Sequence, residues 1–127
     1  MLAKQFNSEI FVVTVVAVVI PQSYSPMGAT MTPADYSQFF DMAEKEGTKV
    51  VDDALEMAKR ESVVKVRGKV LTTVGYVPEA ILDAATKDNS DLIVVGTRGL
   101  GGFKKLLLGS VSSAIVTNAH CTILVVR

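Results

Sequence analysis

The sequence predicts an α/β fold with an open parallel sheet and helices on both of its faces. Short, valine-rich apolar runs alternate with amphipathic segments of helical period along the 127 residues. Strictly alternating strands and helices require crossover connections, which are right-handed and leave the strands parallel. The longest apolar run, over 10–20, is too short to cross a bilayer, which needs about 20 residues. The length predicts a single domain over residues 1–127.

The first half of the chain predicts two helices and one strand. Residues 1–7 are typical of the end of a helix, and the valine-rich run from Ile10 to Ile20 is typical of a buried strand. A loop over 21–31 follows. Thr32 and Pro33 predict the start of a long helix, because threonine caps helices and proline fits their first turn. Its apolar face, spaced by three or four residues, consists of Tyr36, Phe40, Ala43, Gly47, Val50, Ala54 and Met57.

The second half continues the alternation. Residues 63–72 alternate apolar and polar side chains, which predicts a strand near the edge of the sheet. The remaining predicted elements are helices over about 79–87 and 111–119, a buried strand over 91–95 and a last strand over 122–126.

Charge and cysteine content limit the function classes. Lys+Arg and Asp+Glu both total 13, so the net charge is zero and no basic face for nucleic acid is expected. No basic segment precedes the first apolar run, which argues against a signal peptide. The single cysteine, Cys121, cannot form an internal disulfide. This fits a reducing cytoplasm, and we expect the thiol to pack in the core.

Glycines cluster where the third predicted strand ends. Asp91-Leu-Ile-Val-Val-Gly96-Thr-Arg-Gly99 is followed after nine residues by Gly109-Ser110, which opens a predicted helix. Glycines let the backbone approach a ligand closely, and a helix N-terminus presents unpaired N–H groups to anions. Ligands of open α/β sheets bind beyond the carboxyl ends of the strands. The pattern therefore predicts an anion cradle.

The spacing Gly-x2-Gly-x9-Gly-Ser resembles the nucleotide-binding motif of the ATP-binding branch of the universal stress protein family. The segments 74–82 and 122–127 extend the resemblance. It implies a Rossmann-like, adenine nucleotide alpha hydrolase-like sheet and a stress-response role. ATP, or another adenine nucleotide, with Mg2+ is the implied ligand. A homodimer through the last strand, Thr122–Val126, is the implied assembly.

The resemblance also implies roles for individual residues. It places Val15 and Val16 at the adenine. Lys104 and Lys105 lie in the loop between the glycines, so contact with the terminal phosphates and exposure to solvent are alternatives for them. The residues implied to line the ribose and phosphates are Val95, Gly96, Arg98 and Gly99. Those implied to hold the phosphates through N–H and hydroxyl donors are Gly109, Ser110, Val111 and Ser112.

Family members begin with a strand, a loop that carries an aspartate, and a helix. Leu2–Phe6 resembles the tail of that helix, so the resemblance implies that a central strand is absent from this chain. Three explanations are open: a gene start placed too late, a clipped chain, or a partner chain that supplies the strand. We favour a truncated version of an otherwise ordinary family member.

Other site chemistries have little support in the sequence. There is no Walker A loop and no Gly-x-Gly-x-x-Gly after a first strand. His120, the only histidine, adjoins Cys121, and sequence neighbours tend to diverge, which argues against a Cys–His nucleophile and a zinc site. We therefore expect no catalytic or metal-ligating residues and at most weak ATP hydrolysis. The alternatives are a stress protein that acts only by protein–protein contact and, less favoured, an enzyme of the wider fold group.

Overall fold

The computed structural model describes residues 2–19, 32–97 and 108–127. It is an α/β structure with parallel strands, which confirms the predicted fold class. The chain divides into two compact units, Met1–Gly75 and Tyr76–Arg127. The predicted loop over 21–31 lies outside the described residues.

The first unit contains helix α1 (Leu2–Gln5), strand β1 (Ile10–Ala17), helix α2 (Pro33–Arg60) and strand β2 (Val66–Thr73). β1 and β2 pair in parallel over their whole length. β1 ends at Ala17 rather than at residue 20, and β2 begins three residues later than predicted. The side chains of β1 are half-buried on both faces from its first residue to its seventh.

Helix α2 packs closely against both strands of the first unit. The closest approach is at Gly47, where an added Cβ would meet Val70 Cγ1 first, with Val16 Cγ2 at 3.0 Å and Thr14 Cγ2 at 3.3 Å. Gly68 of β2 faces Val51 of the helix in the same way. The two glycines thus allow the helix and the sheet to approach more closely than side chains would permit.

The predicted apolar face of α2 is wrong at two positions. Val50 and Met57 are 56% and 67% exposed, whereas the next residues, Val51 and Ala58, are only 5% and 7% exposed. Gly47 is buried as predicted, and the other predicted members of the face are half-buried. The face that contacts the sheet is therefore rotated relative to the prediction in the second half of the helix.

The second unit contains helix α3 (Val77–Lys87), strand β3 (Leu92–Gly96), helix α4 (Ser110–Asn118) and strand β4 (Thr122–Val126). β3 and β4 pair in parallel, and α3 packs against α4. Burial alternates along both strands, so one face of this sheet is half-buried and the other exposed. The prediction of a buried strand over 91–95 is wrong for one face of the strand, since Val94 is 56% exposed.

The described strands pair within each unit, β1 with β2 and β3 with β4. Within the described ranges, no helix combines the length and apolarity that a bilayer crossing requires.

Candidate functional site

The candidate site lies where β3 ends and α4 begins. Gly96 is the last residue of β3, as the glycine pattern predicts. The next residue, Thr97, donates its N–H to the carbonyl of Val126 at 2.8 Å, so the link between β3 and β4 continues one residue past the end of β3. This bond holds the end of β3 in place.

A second main-chain bond joins the end of β3 to the start of α4. Gly109 donates its N–H to the carbonyl of Thr97 at 2.9 Å. The bond brings together the two residues that border the segment 98–108. Thr97 was not predicted as a site residue. Both of its hydrogen bonds are made by main-chain atoms, so the type of its side chain does not indicate that it joins β3 to β4 and to α4.

The start of α4 has N–H groups with no acceptor among the described residues. Gly109 precedes the helix with φ −59° and ψ 160°, and no side chain caps the helix. The first helical bond runs from the Ser113 N–H to the Gly109 carbonyl at 2.9 Å. Among the described residues, none accepts a hydrogen bond from the N–H groups of Ser110, Val111 or Ser112.

These three donors make the helix start attractive to an anion. Unpaired N–H groups and the helix dipole together place about half a positive charge at a helix N-terminus. The first turn of α4 carries no acidic residue that would compete for them. The φ of Gly109 is one that any residue adopts, so the value of a glycine there is its lack of a side chain and not its backbone freedom.

The side chain of Ser112 has a partner within the protein. Its side chain is buried, with 6% of the residue exposed, and its Oγ donates a hydrogen bond to the carbonyl of Gly96 at 2.6 Å. The hydroxyl proton is therefore engaged within the protein, and the N–H is the Ser112 donor that has no acceptor among the described residues. Val95, one residue before Gly96, is half-buried in β3.

Val15 and Val16 lie in the first unit, on β1. Val16 faces α2, since its Cγ2 lies 3.0 Å from a Cβ built on Gly47. Successive side chains of a strand point to opposite faces, so Val15 faces away from α2. Arg98, Gly99, Lys104 and Lys105 lie outside the described residues.

The second unit also has a small cleft at the opposite ends of its strands. It measures about 120 Å3, and its lining includes Asn89, His120 and Cys121. Small-molecule sites usually occupy about 300–1,000 Å3, so the cleft is too small for a nucleotide. Cys121 is half-buried there rather than enclosed in the core. Within residues 2–19, 32–97 and 108–127, no three His, Cys, Asp or Glu side chains cluster as metal ligands would.

Comparison with known proteins gives the family. The family model described as "Universal stress protein family" matches residues 1–127. The chain belongs to the universal stress protein family. Among curated relatives, a universal stress protein of Methanocaldococcus jannaschii is 32% identical over 126 residues, which cover 99% of this chain and 69% of the relative. One from Bacillus subtilis is 30% identical over 127 residues, covering 99% of this chain and 84% of the relative.

Solved structures of family members share the fold. UspA from Lactobacillus plantarum superposes with a TM-score of 0.72 at 22% identity, covering 98% of this chain and 81% of that one. A family member from Arabidopsis thaliana with AMP bound gives 0.61 at 19% identity, covering 93% and 63%. A universal stress protein in complex with cAMP gives 0.52 at 22% identity, covering 98% and 78%.

Proposed function

We propose that this universal stress protein binds an adenine nucleotide, with ATP as the first ligand to test, and that it acts in a stress response. The observation that carries the proposal is the set of three N–H groups at the start of α4, beside the carboxyl end of β3, for which no described residue is an acceptor. Phosphate groups are the ligands that such helix starts bind. Solved relatives hold AMP and cAMP, which supports an adenine nucleotide.

Mg2+ would accompany the nucleotide in this proposal. The described residues offer no cluster of three ligating side chains. Mg2+ usually keeps several waters and binds through substrate phosphates with one or two carboxylates. The phosphates and water would therefore hold the ion, and we expect chelation by EDTA to weaken ATP binding without unfolding the protein.

The proposed role is regulatory rather than catalytic. A general base must lie within hydrogen-bond reach of the attacking group, and no His, Asp or Glu belongs to the described part of the cradle. ATP turnover is thus expected to be weak. A cytoplasmic location completes the proposal, because the single cysteine is a free thiol.

Self-association through β4 is the second part of the proposal. β4 pairs with β3 along one edge, and no described strand pairs with its other edge. Exposed strand edges favour pairing with another chain. Sedimentation equilibrium should show a dimer, and Leu124→Lys should shift it towards monomer. Leu92→Lys, at an exposed position on β3, the other strand of this two-stranded sheet, is the matched control.

Equilibrium dialysis with labelled ATP tests nucleotide binding. We expect saturable binding that Gly109→Val abolishes, because the branched side chain would stand beside the N–H donors. Gly75→Ala is the control, since its Cβ would make only an ordinary contact of 3.4 Å with Thr73 Oγ1. If the wild-type protein does not bind ATP, nucleotide binding is refuted, and the alternative of a stress protein that acts only by protein–protein contact replaces it.

A further inference from the structure

Ser112 is the only polar residue that is buried within the described part of the chain. Its Oγ donates to the Gly96 carbonyl at 2.6 Å, across sixteen residues of sequence. Buried hydroxyl groups are generally satisfied by hydrogen bonds, because an unpaired one would lose its interaction with water. Here the partner is the last carbonyl of β3, next to the proposed cradle.

The Ser112 bond acts together with the bond from Gly109. The Gly96 and Thr97 carbonyls are consecutive along the chain, and each accepts one hydrogen bond from the start of α4. One bond alone would let the helix start pivot about the Thr97 carbonyl. Two bonds from points three residues apart on the helix fix both its position and its rotation relative to β3.

We propose that Ser112 is a positioning residue of the cradle, which holds the first-turn N–H groups at the end of β3 through Gly96. This inference rests on the proposed nucleotide binding. It assigns the Ser112 hydroxyl to the protein rather than to a phosphate. Pre-organised donors bind more tightly because the ligand does not have to order them.

The test compares three variants of the full chain. Ser112→Ala removes only the oxygen, and Ser112→Thr retains a hydroxyl at the same place. Ser113→Ala is the matched control, since Ser113 is the adjacent residue on α4 and is exposed. Affinity for labelled ATP is measured by equilibrium dialysis. The amide nitrogen shift of Thr97 is measured by NMR without nucleotide, because this shift responds to hydrogen bonding at the preceding carbonyl.

We expect Ser112→Ala to weaken ATP binding about 3- to 10-fold, the loss that corresponds to one neutral hydrogen bond. The same variant should move the Thr97 resonance in the nucleotide-free protein. Ser112→Thr should restore both properties, and Ser113→Ala should change neither.

Three results would overturn the inference while nucleotide binding itself stands. ATP affinity could be unchanged in Ser112→Ala. Affinity could fall with the Thr97 resonance unmoved, which would make the hydroxyl a direct phosphate ligand. Ser112→Thr could also fail to restore what Ser112→Ala loses. Absence of ATP binding by the wild-type protein would instead refute the proposed function.

Discussion

Replacement of Gly47 by alanine tests the packing of α2 on the β1–β2 sheet. In an open helix this change would stabilise the protein by about 1 kcal/mol, because glycine is a poor helix former. At Gly47 the new methyl group would instead overlap Val70 Cγ1 and lie 3.0 Å from Val16 Cγ2. Overpacking of this kind costs about 1–3 kcal/mol. Because valine is stiff at χ1, we take the overpacking cost to be in the upper part of this range, about 2–3 kcal/mol. The gain of about 1 kcal/mol in helix propensity offsets part of it, so we expect a net destabilisation of about 1–2 kcal/mol.

Urea unfolding followed by far-UV circular dichroism measures this change. A loss of about 1–2 kcal/mol should also lower the melting temperature by about 4–8 °C in a chain of this size. Val70→Ala in the same protein should make room for the methyl group, so the double variant should be more stable than additivity predicts, by about 0.5–3 kcal/mol. If Gly47→Ala alone stabilises the protein by about 1 kcal/mol, the close approach of helix and sheet is wrong.

Three further predictions concern stability and are measured by the same urea unfolding. Val51→Ala should cost about 1.5–3 kcal/mol because the side chain is buried, whereas Val50→Ala should change stability by less than about 0.5 kcal/mol; equal costs would refute the observed helix face. Ile115→Ala should cost about 2–5 kcal/mol, since Ile115 is 0% exposed, and the exposed neighbour change Val116→Ala should cost far less. Glu9→Gln weakens an ion pair that is about half-exposed, so it should cost less than about 1 kcal/mol, and 1 M salt should shrink that cost; a larger cost that salt leaves unchanged would contradict this.

The sequence predicts the helices and strands well because the chain alternates clearly, but it predicts the face of α2 only in part. The predicted positions Ala43, Val50 and Met57 follow a strict seven-residue repeat. The buried residues Val51 and Ala58 are also seven residues apart. The two rows differ only in the step after Gly47, which is four residues to Val51 and three to Val50. Helical periodicity allows either step, so the pattern alone does not decide between them.

The position of the candidate site was also predictable from sequence, although its bonds were not. A glycine after an apolar run and a Gly-Ser pair before a helix correctly locate the end of β3 and the start of α4. The direction of the Ser112 hydroxyl depends on where the Gly96 carbonyl lies, which is a tertiary fact. Thr97 joins β3 to β4 and to α4 through main-chain hydrogen bonds alone, so no pattern of side chains in the sequence can reveal this.

A cradle made of main-chain donors explains how a chain with zero net charge could hold a polyanion. The attraction would come from oriented N–H groups at the end of a helix and would not require a basic surface. The sensitive positions should then be those that shape the backbone. Added bulk at Gly109 and a lost hydroxyl at Ser112 are expected to weaken nucleotide binding. Removal of an exposed charge elsewhere, such as Lys87 in its surface pair with Asp83, is expected to leave it unchanged, because such pairs contribute little and act locally.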